Sequence, residues 1–127
     1  MPTKILIIGL DGATFDLLTP WSEAGHLPNV RRLLEEGTHG TLKSTIPSTT
    51  LPAWTSFATG KNPGKHGVYE FMIRKEGSFD EVPVNALRRD GLTLWDLLSQ
   101  AGRQVVVVNV PVTYPPKSVN GALISGF

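Results

Sequence analysis

The chain has 127 residues, the size of one ordinary domain, with 40% hydrophobic and 18% charged residues. These values are typical of a soluble globular protein and argue against disorder. The net charge of +1 gives no electrostatic reason to expect nucleic acid or an anionic membrane as a partner. The absence of cysteine excludes disulfides and thiolate metal sites. We therefore expect a cytoplasmic protein with no nucleic-acid or membrane partner, in which oxygen or nitrogen atoms hold any metal.

Strands are predicted where apolar or β-branched residues run together. Lys4 to Leu10 is a continuous apolar run, typical of a central parallel strand that is covered on both faces. The run is too short for a signal peptide, and no small-residue cleavage site follows it. Gln104 to Val110 contains four consecutive valines and predicts a second buried strand. His39 to Lys43 and Ala122 to Ser125 are weaker strand candidates.

Amphipathic spacing predicts three helices, each followed by a glycine that stops it. They are Pro28 to Glu36 before Gly37, Leu51 to Ala58 before Gly60, and Thr93 to Gln100 before Gly102. The segment from Arg74 to Asp90 is charged and irregular, which indicates a surface excursion or a small hairpin.

Buried strands that alternate with helices predict a single α/β domain over residues 1–127, with a mostly parallel sheet flanked by helices. Ligands gather at the carboxyl ends of the strands in such sheets. Asp11 directly follows the first predicted strand and is expected at one of these ends.

Two apparent phosphate loops fail on their spacing. In GKNPGKH only three residues separate Gly60 from Gly64, and His66 stands where a P-loop needs Ser or Thr. The segment IGLDGATF lacks the G-x-G-x-x-G spacing of a dinucleotide site.

Asp11 has two interpretations from the residues alone. A carboxylate placed after an apolar strand can hold a cation. The structural alternative is an Asp-Gly turn, or Asp11 as the N-cap of a short helical segment from Thr14 to Leu18.

The hydroxyl-rich stretch STIPSTTLPAWT, residues 44–55, leaves two interpretations open as well. Ser48, Thr49 or Thr50 could simply cap the helix that follows. A hydroxyl at a helix N-terminus also lies where an anion such as phosphate binds. If a dication contacts that hydroxyl, its pKa falls and it becomes a nucleophile.

Three elements in order resemble the alkaline phosphatase superfamily, in its type I phosphodiesterase and nucleotide pyrophosphatase branch. They are the Asp-Gly in IIGLDGATFDLL, the stretch TIPSTTLPAW, and TGKNPGKHGV. The resemblance is close from Ile5 to Val68, and NVPVTYPP with its flanks looks like the next strand and loop of that family. The resemblance implies an alkaline phosphatase-like fold in which Asp11 binds one of two metals. It also implies that Thr50 is both the nucleophile and a ligand to that metal.

The implied reaction is hydrolysis of a small-molecule phosphate ester through a covalent phosphothreonine, with two divalent metal ions, usually zinc. Pro63, His66 and Gly67 match the family motif and are interpreted as structural, whereas His26 and His39 match nothing. Phe71 stands where nucleotide pyrophosphatases have a phosphate-contacting asparagine, so the substrate-binding residues and the leaving group stay unassigned.

Asp11 and Thr50 cannot complete two zinc sites, because each zinc ion needs about four ligands. We therefore expect this chain to be the N-terminal portion of a longer catalytic domain and to be inactive by itself. The alternative is a non-catalytic α/β domain that binds a phosphorylated ligand or a protein partner through the Thr50 helix terminus. A third reading is a structural domain in which Asp11 and Thr50 are only caps, and no pattern in the sequence indicates an oligomeric state.

Overall fold

A computed structural model describes residues 4–127 of the chain. It divides into two compact units, one that ends at Lys43 and one from Ser44 to Phe127. Both helices and strands are present, so the predicted mixed α/β class is confirmed. No helix in residues 4–127 is long and apolar enough to cross a membrane.

The first unit contains two helices that pack against each other, α1 (Phe15–Glu23) and α2 (Pro28–Glu36). The predicted bounds of α2 are confirmed, and Pro28 suits the first position because that residue needs no intrahelical N–H. Gly37 ends α2 and donates its N–H to the Leu33 carbonyl at 2.9 Å. A Cβ at Gly37 would lie 2.6 Å from the same oxygen, which explains the glycine although its backbone is extended.

The predicted strand from Lys4 to Leu10 is wrong. Residues 4–10 form no strand, and their apolar side chains are exposed, with Leu6 at 83%. The weaker strand from His39 to Lys43 is absent too. A strand needs a neighbour for its backbone N–H and C=O groups, and the described part of the first unit contains no other strand. The apolar run identified residues that favour β structure but could not identify a pairing partner.

The second unit contains the remaining elements in the order helix, helix, hairpin, helix, strand, strand. They are α3 (Thr50–Thr59), α4 (Pro63–His66), β1 (Met72–Arg74), β2 (Glu81–Pro83), a 3₁₀ helix (Ala86–Arg88), α5 (Leu94–Gln100), β3 (Val105–Val110) and β4 (Gly121–Ser125). The predicted helices α3 and α5 and the strand β3 are confirmed to within one residue at each end. The hairpin β1–β2 begins two residues before the irregular segment and has its second strand within it, which bears out the small hairpin. Val84 and Ala86 in that segment are nevertheless buried.

Strands β3 and β4 are parallel, and Val105 to Val108 lie opposite Gly121 to Ile124. Val105 and Val107 are buried, whereas Val106 is 76% exposed. The four valines therefore alternate between a covered and an open face, where the sequence predicted burial on both. With one parallel and one antiparallel pair among the described residues, the mostly parallel sheet flanked by helices is found only in part.

Helix α3 contributes to both apolar clusters of the second unit. Near its beginning, Leu51 belongs to a cluster with Val68, Val84 and Val112. Near its end, Ala58 belongs to a cluster with Trp95, Val105 and Val107. Val110, the last residue of β3, packs against the second cluster as well, whereas Val112 beyond the strand belongs to the first. The beginning of α3 therefore packs with the segment that follows β3.

Candidate functional site

Thr50 is the first residue of α3, and the burial of the residues that follow it holds the beginning of that helix in place. Leu51 and Pro52 are buried directly after it, with 1% of the Leu51 surface exposed. Thr49 occupies the N-cap position in an extended conformation but makes no side-chain capping hydrogen bond. The Thr45 hydroxyl donates instead to the Pro47 carbonyl at 2.7 Å and shapes the preceding turn. Of the three capping candidates Ser48, Thr49 and Thr50, Thr49 is thus the N-cap residue, but without the side-chain bond.

His66 is fully buried and hydrogen-bonds to Ser56 of α3. Its Nδ1 accepts from the Val68 backbone N–H at 3.1 Å, so the ring proton is on Nε2. Nε2 lies 2.9 Å from the Ser56 hydroxyl oxygen and donates to it. Burial lowers the pKa of His66, although the nearby Pro52 carbonyl opposes this shift. A neutral imidazole therefore connects α3 to the turn at Val68, in agreement with the structural role expected for this residue.

The rest of the TGKNPGKHG motif folds into a capped turn that holds His66 in place. The Asn62 side chain accepts from the Lys65 N–H at 3.1 Å and caps α4. Gly67 ends α4 with a φ of 75°, a left-handed conformation that glycine adopts without strain. The Asp90 N–H then donates to the His66 carbonyl at 3.0 Å. Of the two glycines in the apparent phosphate loop, Gly60 ends α3 with a φ of 66° and Gly64 lies within α4.

Asp11 lies in the first unit, in a turn that follows the exposed apolar segment. The Ala13 N–H donates to the Leu10 carbonyl at 3.4 Å, and Gly12 has a φ of 68°. The Asp-Gly turn is therefore confirmed. The capping alternative is wrong, because the side chain of Thr14 accepts from the Asp16 N–H and caps α1. The Asp11 side chain is exposed.

Asp11 and Thr50 belong to different units, and their meeting at one metal stays a prediction. Each offers an oxygen, the type of ligand that suits a divalent cation. No group of three or more His, Cys, Asp and Glu side chains forms a metal cluster among residues 4–127. Since zinc needs about four ligands, these residues do not complete a zinc site. The His39 ring packs against that of Phe15, with 5.9 Å between the centroids.

Two features near the end of β3 were missed by sequence reasoning. Asn109 and Val112 have positive φ values of 55° and 59°, which is unusual for asparagine and a clear outlier for a β-branched residue. A polar residue that interrupts a run of valines is a sequence signal for such an irregularity, since asparagine is depleted in strands. Close by, Phe71 stacks on Phe127 with 6.3 Å between the ring centroids. The aromatic ring of Phe71 offers no hydrogen bond to a phosphate.

Comparison with protein families identifies the class of the chain. A model of the type I phosphodiesterase / nucleotide pyrophosphatase family matches residues 5–123. The chain therefore belongs to this family, a branch of the alkaline phosphatase superfamily. Its members are phosphodiesterase- and pyrophosphatase-type hydrolases and are generally metal-dependent. Searches of curated proteins and of solved structures found no match.

Proposed function

We propose that this protein is a metal-dependent hydrolase of phosphodiesters or related small-molecule phosphate esters, with Thr50 as its nucleophile. Family membership supports the hydrolase class and is consistent with a phosphate ester substrate. The particular role of Thr50 is supported by its match to the family motif and by its position in α3.

The observation that carries the assignment is that Thr49, the N-cap residue of α3, makes no side-chain capping bond. Helices α1 and α5 are capped by Thr14 and Thr93, whose hydroxyls accept from backbone N–H groups. Thr49 makes no such bond although it occupies the N-cap position. The N-terminus of a helix favours an anion through its free N–H groups and its dipole. An incoming phosphate would receive this stabilisation beside the Thr50 hydroxyl.

In the proposed reaction the Thr50 hydroxyl gives its proton to water and its oxygen attacks phosphorus. The new bond joins Oγ1 to phosphorus while the bond to the leaving alcohol or phenol breaks, so that a covalent ester of Thr50 forms. Water then cleaves that ester and restores the hydroxyl. Divalent cations, zinc by resemblance to the family, would lower the pKa of the hydroxyl and offset phosphate charge when Asp11 and Thr50 bind them.

Residues of this chain account for the positioning of the nucleophile. The buried imidazole of His66 lies beside the carbonyl of Pro52, two residues after Thr50, and bonds to Ser56 one turn later. The first turn of α3 is thus held in a fixed direction before substrate arrives, as preorganised catalysis requires. We expect the 127-residue chain alone to be inactive, because Asp11 and Thr50 supply only two ligands. A cytoplasmic location stays a prediction.

The test is turnover of bis-p-nitrophenyl phosphate with added zinc by the longest natural form of the protein. We expect Thr50→Ala and Asp11→Asn to abolish turnover, because each removes a proposed ligand and Thr50→Ala also removes the nucleophile. Thr49→Ala is the matched control, since it removes a neighbouring hydroxyl that makes no capping bond, and it should keep its activity.

Full activity of Thr50→Ala would contradict the nucleophile assignment. If the longest form hydrolyses neither this diester nor the monoester and sulfate analogues, the non-catalytic binding domain becomes the better account. Binding of inorganic phosphate that Thr50→Ala weakens would then locate the ligand at the start of α3.

A further inference from the structure

The parallel pair β3–β4 is interrupted at Asn109. Val105 to Val108 each have a partner in β4, and Val110 pairs with Ser125, which leaves Asn109 as an extra residue without a partner. Its φ of 55° lies in the left-handed region. An extra residue of this kind is a β-bulge, a feature that changes the direction of a side chain and is frequent beside active sites.

Neighbouring segments hold the backbone around this bulge from several sides. The Thr113 hydroxyl donates to the Val110 carbonyl at 2.6 Å and accepts from the Gly126 N–H at 2.8 Å. The Val112 N–H donates to the Phe127 carbonyl at 2.7 Å. A Cβ at Gly126 would lie 2.5 Å from the Val110 carbonyl oxygen, so glycine is needed for this close approach.

The strain extends to Val112, which is fully buried in a left-handed conformation. Its carbonyl accepts from the Arg89 guanidinium at 2.7 Å, through Nη1. Strained backbone persists only where its surroundings over-determine it, and such positions concentrate at functional sites. The segment from Asn109 to Thr113 is therefore a fixed feature of the unit.

The bulge lies at the same end of the second unit as Thr50. Leu51, the residue after Thr50, shares an apolar cluster with Val112, which follows Asn109 by three residues. Ala58, near the end of α3, belongs instead to the cluster of Val105 and Val107, against which Val110 also packs. The first turn of α3 and the segment that follows Asn109 thus meet in one apolar cluster. Ligands in α/β proteins bind at the carboxyl ends of strands.

The side chain of Asn109 is exposed at this end, and none of its polar atoms bonds to another residue of the described chain. A carboxamide carries two N–H donors and one acceptor without a charge. The nonbridging oxygens of a phosphate ester are acceptors, and a fixed donor gains strength as negative charge develops on them.

We propose that Asn109 contacts the substrate, with its side-chain N–H donating to a nonbridging oxygen of the phosphate ester that Thr50 attacks. This inference rests on the proposed function. The competing explanation is that Asn109 is present only because asparagine tolerates a left-handed backbone.

Two substitutions separate these explanations, both made in the longest natural form. Asn109→Gly keeps the left-handed backbone without strain and removes the amide. Asn109→Asp keeps the size and the tolerance for this conformation but replaces the donor with a carboxylate that repels phosphate. We expect kcat/KM for bis-p-nitrophenyl phosphate to fall about 100-fold in Asn109→Gly and at least as far in Asn109→Asp. Inorganic phosphate should inhibit both variants less than the parent protein.

Thermal unfolding supplies the structural control. We expect Asn109→Gly to keep the melting temperature while losing activity and phosphate inhibition. An unchanged kcat/KM in Asn109→Gly would overturn the proposal. A fall in kcat/KM that is fully explained by a smaller fraction of folded protein would overturn it as well. Thr50→Ala is measured in parallel: if it stays active, the proposed function fails, whereas an inactive Thr50→Ala with a fully active Asn109→Gly refutes the role of Asn109 alone.

Discussion

The replacement of His66 by alanine tests most sharply how α3 is held in place. The imidazole is fully buried and makes one hydrogen bond to Ser56 and one to the Val68 N–H. Loss of the Ser56 bond costs about 0.5–1.5 kcal/mol, and a buried Val68 N–H without an acceptor costs about 1–3 kcal/mol. The space left by the ring adds a further cost of the kind seen for large-to-small substitutions in cores. Since such terms are not additive, we expect a total loss of about 3–5 kcal/mol.

Urea unfolding followed by tryptophan fluorescence measures this loss. With a slope of about 1–3 kcal/mol per molar urea, the midpoint should fall by about 2 M. His66→Asn is the matched variant, because its side-chain oxygen can replace Nδ1 as the acceptor for Val68 while the bond to Ser56 is lost. It should lose less stability than His66→Ala. A loss below about 1 kcal/mol in His66→Ala would refute the reasoning that the imidazole fastens α3 to the following turn.

Three further predictions concern pH, a helix cap and a close backbone contact. Burial lowers the pKa of His66 below its ordinary 6.5, so as the pH falls the histidine is protonated in the unfolded chain before it is protonated in the folded protein. The free energy of unfolding should therefore decrease as the pH drops below 6.5. Urea titrations at several pH values should show this decrease in the parent protein relative to His66→Asn. Thr93→Ala removes the side-chain half of the capping box on α5, in which the Thr93 hydroxyl accepts from the Asp96 N–H, and keeps the backbone half. It should cost about 1 kcal/mol, whereas Thr93→Ser should lose little. Equal stability of all three proteins by thermal unfolding would contradict the cap. Gly121→Ala places a Cβ against the Val105 carbonyl at a φ of 145°. Urea unfolding followed by circular dichroism should show that the free energy of unfolding falls by more than about 2 kcal/mol. A Gly121→Ala variant as stable as the parent protein would mean that β3 and β4 do not approach each other as described.

Local sequence signals predicted the helices because their causes are local. The capping Thr93, the glycine after α3 and the proline at the start of α2 each act within one turn of the residues they affect. The valine run likewise predicted β3, since β-branched side chains favour extended backbone. These elements needed no knowledge of distant contacts.

The errors arose where the outcome depends on a distant partner. The apolar residues Ile5 to Leu10 have strand composition, but a strand also requires a neighbour, which no local pattern specifies. The same limit applies to the valines of β3, since only the packing of α3 and α5 decides which face is covered.

The residues of the candidate site also divide into those predicted from local patterns and those that depend on distant contacts. The motif placed Thr50 at the start of a helix and gave His66 a structural role after that helix, and the structure adds the buried hydrogen bonds of His66 to Ser56 and Val68. The bulge at Asn109 depends on β4 and on contacts from Gly126 and Phe127, so its geometry could not be derived from the run of valines.

The most direct test of the central claim is to trap the covalent intermediate on Thr50. The longest natural form is mixed with zinc and bis-p-nitrophenyl phosphate, quenched in acid within one turnover, digested, and its peptides are analysed by mass spectrometry. Our account predicts that the peptide containing Thr50 carries a p-nitrophenyl phosphoryl group, or a phosphoryl group after partial hydrolysis, and that Thr50→Ala carries neither. Rapid turnover with an unmodified Thr50, or a modification on Ser48 or Thr49 instead, would contradict it.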